Sequence, residues 1–447
     1  MKKLLIGNGT LITGGKNNKI ISNGAVYIED NLIKDVGTLK KLKTKYSGYE
    51  YIDAKGKIIM AGLICTHHHL YSTFACGINS KPSSNFIEIL NNLWWRLDKS
   101  LQKEDIYYSA LIPIIKAIKS GTTTIIDHHA SPNAISGSLD TIAKATKEMN
   151  IRAVLCYEVT DRDGPEKRDE GIEENINFIK KYNDKNDDML YGLFGFHASL
   201  TLSNETLKKS TEASKNLNPG YHIHIAEDLA DVDDSREKYN KRVIERLDEY
   251  NILNEKSIAA HCIHINEKEM EILKKRKTNV INNPSSNMNN AVGTADILKM
   301  LKKDILVGLG TDGMSSNMLE EVKIAYLIQH HHKKDPTVAF TEAIDMLLKN
   351  NSKIASKYFK HKVGVIEKDA YADIILVDYY PYTPLNENNF YGHFMFGIAQ
   401  SVVDTTIING KIVMQNKNLI NIDEREIALE SQKFASAVWE RFEQIGY

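Results

Sequence analysis

The sequence predicts an α/β protein: a (β/α)8 TIM-type barrel with a small β-sandwich domain formed by both chain termini. Eight short apolar segments alternate with helical patterns in the middle of the chain, and β-rich segments lie at both ends. Strands that are apolar on both faces and separated by helices are typical of buried parallel sheets. The predicted composite β-sandwich covers residues 1–57 and 362–447, and the predicted barrel covers residues 58–361.

The two ends of the chain carry the signals of a small antiparallel sheet. Residues 25–29 and 32–36 are apolar segments that flank Asp30-Asn31, and this pattern predicts a β-hairpin. Near the other end, residues 402–408 are followed by the turn dipeptide Asn409-Gly410. Two β-rich ends around a different middle indicate one domain built from both.

The middle of the chain alternates between strand and helix patterns. The predicted barrel strands are residues 58–64, 122–127, 151–157, 191–196, 221–226, 257–261, 278–281 and 305–311. Helical patterns lie between them at residues 103–119, 136–150, 172–182, 205–216, 236–251, 267–275 and 295–302. An open, doubly wound parallel sheet is the alternative arrangement for the same alternation.

The composition excludes several classes of function. Of 447 residues, 42% are hydrophobic and 26% charged, and 57 Lys plus Arg against 58 Asp plus Glu give a net charge of -1. A neutral chain has no field that attracts nucleic acid or an anionic membrane. No apolar stretch approaches the roughly 20 residues that cross a bilayer, and the four cysteines are scattered. We therefore expect a cytoplasmic protein that binds a small molecule and binds neither nucleic acid nor a membrane. The sequence leaves the oligomeric state open, and a homo-oligomer is one alternative.

Polar residues stand at the ends of several predicted strands, where barrels carry their active sites. The first strand runs into His67-His68-His69. Residues i and i+2 of a strand share a face, so His67 and His69 can bind one metal while His68 points the other way. The fifth strand carries His224, and the eighth ends at Asp312. Three imidazoles and a carboxylate suit zinc or Fe(II).

Two further polar residues lie on the same predicted rim. Glu227 follows the fifth strand, and His261 ends the sixth. A divalent metal lowers the pKa of a bound water towards about 7. Asp312 can take the proton of that water, Glu227 can deliver a proton to a ring nitrogen of the substrate, and His261 can stabilise the oxyanion. This chemistry is hydrolytic attack on a carbon that carries a leaving amine.

These motifs resemble those of the amidohydrolase superfamily, and more narrowly its cytosine deaminase and chlorohydrolase-like branch. The resemblance rests on residues 61–69, 121–124, 224–227, 260–262 and 309–313. Residues 93–98, 127–132 and 286–290 resemble those of an aminohydrolase group associated with selenium metabolism. The resemblance implies that His67, His69, His224 and Asp312 hold one metal and that Glu227 and His261 assist catalysis.

The resemblance also suggests where substrate binds. It implies that His197, near the end of the fourth strand, contacts substrate, and Asn282 occupies the corresponding place on the seventh strand. An apolar helical stripe assigns Trp94 to the core. Trp95 lies off this stripe, so its ring can cover a heterocycle. His128, at the end of the second strand, is predicted to contact substrate or to bind a second metal.

We therefore expect an enzyme, a hydrolase of carbon–nitrogen bonds that deaminates a small nitrogen heterocycle. The cofactor is one divalent metal per chain, because the fourth strand lacks the lysine of binuclear relatives. Zn²⁺ is the first choice, with Fe²⁺ or Mn²⁺ as alternatives. Ring opening or dechlorination is the alternative hydrolytic reaction, and a non-catalytic accessory protein in a selenium-linked pathway is the alternative that is not an enzyme.

Overall fold

Strands from both ends of the chain lie in one sheet. The computed structural model describes residues 2–15, 18–183 and 187–446, so Met1 and Tyr447, the outer limits of the predicted composite domain, lie outside the described residues. Within the described residues this terminal sheet has nine strands. In spatial order, eight of them are Asn418–Leu419, Lys411–Gln415, Val403–Ile408, Ile374–Val377, Ile58–Ala61, Lys3–Ile12, Ile20–Glu29 and Leu32–Thr38; the ninth, Glu50–Asp53, pairs with Lys3–Ile12.

The predicted hairpin near the start of the chain is confirmed. Ile20–Glu29 and Leu32–Thr38 pair antiparallel, with Glu29 opposite Leu32. Asp30 adopts a left-handed conformation (φ 54°), which an aspartate in a tight turn tolerates. The apolar side chains of this sheet pack in a core of their own, which includes Leu4, Val26 and Leu376.

Parallel strands alternate with helices through the middle of the chain, as an α/β protein requires. In chain order, parallel strands 1–8 are Leu63–His68, Thr122–His129, Arg152–Tyr157, the two segments Leu190–Gly192 and Phe194–Ala198 of strand 4, Tyr221–Ile225, Ile258–His261, Asn279–Asn282 and Val307–Leu309. Strands 1–3 and the first segment of strand 4 form one sheet, and the second segment of strand 4 continues through strands 5–8 in another.

Contacts join these two sheets at both seams. Val159, just after strand 3, bridges in parallel to Phe196 in strand 4. At the other seam the backbone N–H groups of Thr311 and Asp312 both donate to the carbonyl oxygen of His67 at 3.0 Å. The end of strand 8 therefore lies beside the end of strand 1.

Helices connect the strands. They are Leu39–Lys45, Phe86–Ile89, Trp95–Ser100, Lys103–Lys119, Ser138–Glu148, Gly164–Tyr182, Asn204–Ser214, Leu229–Tyr239, Val243–Glu249, Glu267–Arg276, Pro284–Asn289, Ile297–Lys302, Met318–Lys333, Phe340–Asp345, Asn351–Ala355, Phe390–Phe396 and Glu424–Gln444, with π-helical turns at Leu90–Trp94 and Met346–Asn350 and 3₁₀ turns at Leu70–Ala75, Ser199–Thr201, Lys215–Leu217 and Ile398–Gln400. None of the helices in the described ranges has the length and apolarity to cross a membrane.

The prediction of one strand over residues 58–64 is wrong, because the chain divides at Gly62. Ile58–Ala61 pairs within the terminal sheet, with Ile374–Val377, whereas Leu63–His68 is parallel strand 1. A Cβ at Gly62 would lie 2.2 Å from a methyl carbon of Thr123. Glycine therefore lets the chain pass closely over strand 2 as it leaves one sheet for the other.

The prediction of one helix over residues 236–251 is also wrong. Two helices cover this region, Leu229–Tyr239 and Val243–Glu249. Asn240 lies between them in a left-handed conformation (φ 54°) and ends the first helix. Asparagine at a helix C-terminus commonly adopts this conformation, which an apolar periodicity does not reveal.

A buried ion pair joins parallel strand 3 to the terminal sheet, and we expect its loss to be strongly destabilising. Arg152 donates to the carboxylate of Asp373, and both side chains are fully buried. Asp373→Ala would leave the guanidinium charge buried and unpaired, so we expect the free energy of unfolding to fall by about 3–5 kcal/mol.

Urea denaturation at fixed metal loading measures this change. Asp140→Ala, which breaks the exposed pair of Asp140 with Lys181, is the matched control and should cost less than about 1 kcal/mol. An equal fall in the free energy of unfolding in the two variants would show that the buried pair stabilises the fold no more than an exposed pair does.

Candidate active site

The four predicted metal ligands, from strands 1, 5 and 8, converge at one point. His69 Nε2 lies 3.1 Å from His224 Nε2 and 3.1 Å from Asp312 Oδ1. His67 Nε2 lies 3.8 Å from the same oxygen of Asp312. The side chains meet because the C-terminal ends of parallel strands share one edge and because His67 and His69 share a face of their strand.

The other ring nitrogens of the two strand 1 histidines are already engaged. His69 Nδ1 donates to the backbone carbonyl oxygen of His128 at 2.6 Å, which leaves its Nε2 free to act as a ligand. His67 Nδ1 lies 2.8 Å from His222 Nε2. Within the described part of the chain, the buried His67 Nε2 has no hydrogen-bond partner. Such outer contacts fix the tautomer and orientation of metal-binding histidines.

The electrostatics of this cluster suit a divalent cation. Burial lowers the pKa of His67 and of His224 well below its usual range, so both imidazoles are neutral, the form that binds metals. Burial alone would raise the pKa of Asp312, but the hydrogen bond and charge of His69 hold it well below its usual range. Burial alone would lower the pKa of His69, but the contact with Asp312 raises it to about 9, so a metal ion would bind His69 Nε2 in exchange for the proton that this nitrogen shares with Asp312. Imidazoles around an ionised carboxylate form a suitable donor set for zinc or Fe(II).

Glu227 and His261 lie beside these ligands. His261 Nε2 is 3.4 Å from Glu227 Oε2 and 3.7 Å from Asp312 Oδ2. Asn287 Nδ2 lies 2.8 Å from His261 Nδ1, and Asn290 donates to Glu227 Oε1 at 3.2 Å. Burial and the charge of Asp312 raise the pKa of Glu227 well above its usual range, whereas burial lowers the pKa of His261 to about 4. Glu227 can therefore carry a proton near neutral pH, and His261 is neutral.

The backbone at these strand ends is strained. His261 and Asp312 adopt left-handed conformations with φ of 70° and 53°, and Ala226, next to Glu227, has φ 45°. Such conformations cost about 1–3 kcal/mol each for residues other than glycine and cluster at functional sites. Three strand ends therefore turn sharply where the polar side chains converge.

His68 points away from this cluster, as strand alternation predicts. Its Nε2 lies 3.1 Å from Ser316 Oγ. Burial lowers the pKa of His68 to about 3. His68 is thus a buried neutral histidine that does not share in the cluster of ligand atoms.

The cluster faces a cavity whose lining is partly apolar and aromatic and partly polar. The apolar lining includes Phe86, Leu90, Trp94 and Trp95, and the polar lining includes His69, Asp98, Glu158, His197, His224, Glu227, Asp231, Asn290 and Asp312. A planar heterocycle fits such a cavity, with its polar edge towards the carboxylates and imidazoles.

Two of the four predicted substrate contacts line the cavity. The Trp95 and His197 rings lie 6.1 Å apart. His197 Nδ1 lies 2.8 Å from Thr201 Oγ1. The other two, His128 and Asn282, are buried beneath the cavity wall and are not among the residues that line it. His128 Nδ1 lies 3.4 Å from His224 Nε2. The ring nitrogens of His128, His67, His69 and His224 all lie within 4.8 Å of one another, so the predicted role of His128 in holding a metal stays open.

Trp94 is partly buried against the apolar core, as expected, and its side chain also lines the cavity. The helix that carries it contains a π-helical turn over Leu90–Trp94, which adds a residue to the helical repeat.

Two buried site residues were not predicted from the sequence. Glu158 follows strand 3 directly, at the same rim as the other strand-end residues, and it lines the cavity. Burial raises the pKa of Glu158 to about 8. His222 supports His67 from below, and its ring stacks on that of His128 at 4.3 Å. The position of Glu158 after an apolar strand was the available signal, whereas nothing in the sequence separates His222 from a packed core histidine.

Comparison with known proteins agrees with this architecture. The model of the amidohydrolase family matches residues 58–413. A 5-methylthioadenosine/S-adenosylhomocysteine deaminase of Thermococcus sibiricus is 34% identical over 415 residues, which are 92% of this chain and 94% of that protein. A 5'-deoxyadenosine deaminase of Methanobrevibacter smithii is 34% identical over 421 residues, 92% of each chain.

A solved structure has the same fold at lower identity. An adenosine deaminase from Xanthomonas campestris with bound zinc matches with a TM-score of 0.85 at 19% identity, over 99% of both chains. The family match covers most of the chain, and the deaminase relatives exceed 30% identity over nearly its full length. The chain therefore belongs to the amidohydrolase family.

Proposed function

We propose that this protein is a metal-dependent aminohydrolase that removes the exocyclic amine of an adenosine-type heterocycle. The observation that carries the proposal is the arrangement of Glu227, His261 and Asp312 around the histidine cluster, at one end of a cavity with an aromatic wall. The names of the deaminase relatives support an aminopurine as the class of substrate.

His67, His69, His224 and Asp312 would hold one divalent metal, with Zn²⁺ as the first choice and Fe²⁺ or Mn²⁺ as alternatives. When bound, this ion supplies a Lewis acid that makes water nucleophilic near neutral pH. The unpartnered Nε2 of His67 and the short distances between the ligand atoms support this assignment.

The remaining chemistry is assigned to three side chains. Asp312 accepts a proton from the attacking water. Glu227 carries a proton to the ring nitrogen next to the carbon under attack, because its raised pKa keeps it protonated. His261 stabilises the oxygen that forms on that carbon. The balanced reaction is R–NH₂ plus water to R–OH plus ammonia.

The fold around the site is part of the same proposal. We infer that parallel strands 1–8 close into a (β/α)8 barrel, supported by the bridges from Val159 to Phe196 and from His68 to Asp312. Residues 1–57 and 362–447 would form the composite β-sandwich domain beside a barrel of residues 58–361, with Ile58–Ala61 paired to the terminal sheet.

Ammonia release tests the proposed reaction. Metal-loaded protein should release one ammonia per turnover from at least one of adenosine, 5'-methylthioadenosine and 5'-deoxyadenosine. Removal of the metal with a chelator should reduce turnover to the uncatalysed background, and Zn²⁺ should restore it, since the nucleophile depends on the ion. Turnover that survives complete metal removal, or no ammonia from any aminoheterocycle, would contradict the proposal.

A further inference from the structure

Glu158 is a buried carboxylate in the cavity wall to which the proposed mechanism gives no role. Its side chain is 2% exposed. Oε1 has no hydrogen-bond partner among the described residues, and Oε2 lies 4.0 Å from His197 Nε2, beyond hydrogen-bonding distance. Buried polar atoms are nearly always paired. Oε1 is buried against the histidines, so Oε2 is the oxygen whose acceptor capacity Glu158, as a lining residue of the cavity, can offer to a ligand.

Glu158 stands at a different flank of the histidine cluster from Glu227. Its Oε1 lies 3.3 Å from His69 Nδ1 and 3.5 Å from His128 Nδ1. A carboxylate oxygen of Glu158 also lies within 4.8 Å of nitrogens of His197 and His224. Glu227 instead contacts His261. A heterocycle bound between the two carboxylates can place its ring nitrogen at Glu227 and the amine of the adjacent carbon at Glu158.

We propose that Glu158 binds the leaving amine of the substrate and so makes the site selective for nitrogen over halide leaving groups. This inference rests on the proposed function. An amino group donates N–H hydrogen bonds to the carboxylate, and the contact strengthens as that nitrogen gains a proton and positive charge. A chloro substituent has no hydrogen to donate.

Deamination and dechlorination of the same carbon differ only in the leaving group. In deamination a C–O bond forms, the C–N bond breaks with its electron pair going to nitrogen, and a proton of the attacking water completes ammonia. In dechlorination the C–Cl bond breaks with its electron pair going to chloride, and the proton goes to solvent. Glu158 can assist only the first departure.

The test compares two purine ribosides that carry different leaving groups on the same carbon, adenosine and 6-chloropurine riboside. We expect metal-loaded wild type to prefer adenosine. Glu158→Gln should lower the ratio of the kcat/KM for adenosine to that for 6-chloropurine riboside by about 10-fold or more, since it replaces one acceptor oxygen by an NH₂ group that cannot accept from the amine. Its metal content should equal that of wild type, measured by elemental analysis.

Glu174→Gln is the matched control. Glu174 is a buried glutamate that does not line the cavity, and its oxygens already accept from the backbone N–H groups of Gly137 and Leu139. This variant should leave the ratio unchanged, whatever it does to stability.

The outcomes separate the inference from the proposed function. If Glu158→Gln lowers both activities equally, or loses its metal, the inference is overturned and the deaminase stands. If wild type prefers the chloro compound but still releases ammonia from adenosine, the inference is overturned and the deaminase stands. Wild type that releases ammonia from none of adenosine, 5'-methylthioadenosine and 5'-deoxyadenosine would contradict the adenosine-type substrate, and the inference with it.

Discussion

Glu227→Gln should lower turnover by at least about 100-fold, the usual scale for removing general acid–base catalysis. Glutamine keeps the shape of the side chain and can still contact Asn290 and His261, but it cannot carry a proton to the substrate. Because Glu227 is not one of the four assigned ligands, metal content and substrate affinity should stay close to those of wild type.

Single-turnover ammonia release and elemental analysis test this expectation. Glu173→Gln, at an exposed position on the helix Gly164–Tyr182, is the matched control and should retain full activity. Full activity in Glu227→Gln would refute the deaminase mechanism and favour dechlorination or an accessory role. Loss of metal in that variant would make Glu227 a ligand.

His224→Ala should abolish metal binding, whereas His68→Ala should preserve it. His224 Nε2 lies within 3.1 Å of His69 Nε2 in the ligand cluster, but His68 contacts Ser316 on the other side of strand 1. Both substitutions delete a buried imidazole, so both destabilise the fold. Only the first should weaken metal binding, by more than the roughly 10- to 100-fold that the loss of an outer-shell partner costs.

Metal titration of the two apo variants distinguishes them, with circular dichroism to show that both are folded. The unfolding temperature of His68→Ala should still rise when Zn²⁺ is added, because a ligand stabilises only the state that binds it. If both variants lost metal equally, His68 would share in the site and the argument from strand alternation would fail.

The residues at the site were more predictable than the path of the chain around it. Apolar strands that end in His67, His69, His224, His261 and Asp312 reveal their common rim, because parallel strands share an edge. The break at Gly62 was not predictable, since residues 58–64 are apolar on both sides of it. The π turn at Leu90–Trp94 was not predictable either, since no propensity marks such a turn.

The substrate contacts were the least predictable part. His128 and Asn282 stand at strand ends like His197, but they lie beneath the wall rather than on it. Which strand-end side chains face the cavity depends on local strand twist and on the loops above the rim. The order of residues along the chain reveals neither the strand twist nor the conformation of those loops. Glu158 stands in a similar position, and only the folded chain shows that its carboxylate faces the cavity.

The pairing of Ile58–Ala61 with Ile374–Val377 has a consequence for biosynthesis. A ribosome that adds about 5–20 residues per second needs roughly 15–60 s to make the intervening chain. During that time an apolar strand, which becomes fully buried in the finished protein, has an open edge. The nascent chain is therefore exposed to strand-to-strand association until Ile374–Val377, in the last sixth of the chain, emerges. Slow translation or chaperone binding during that interval should decide the yield of folded protein.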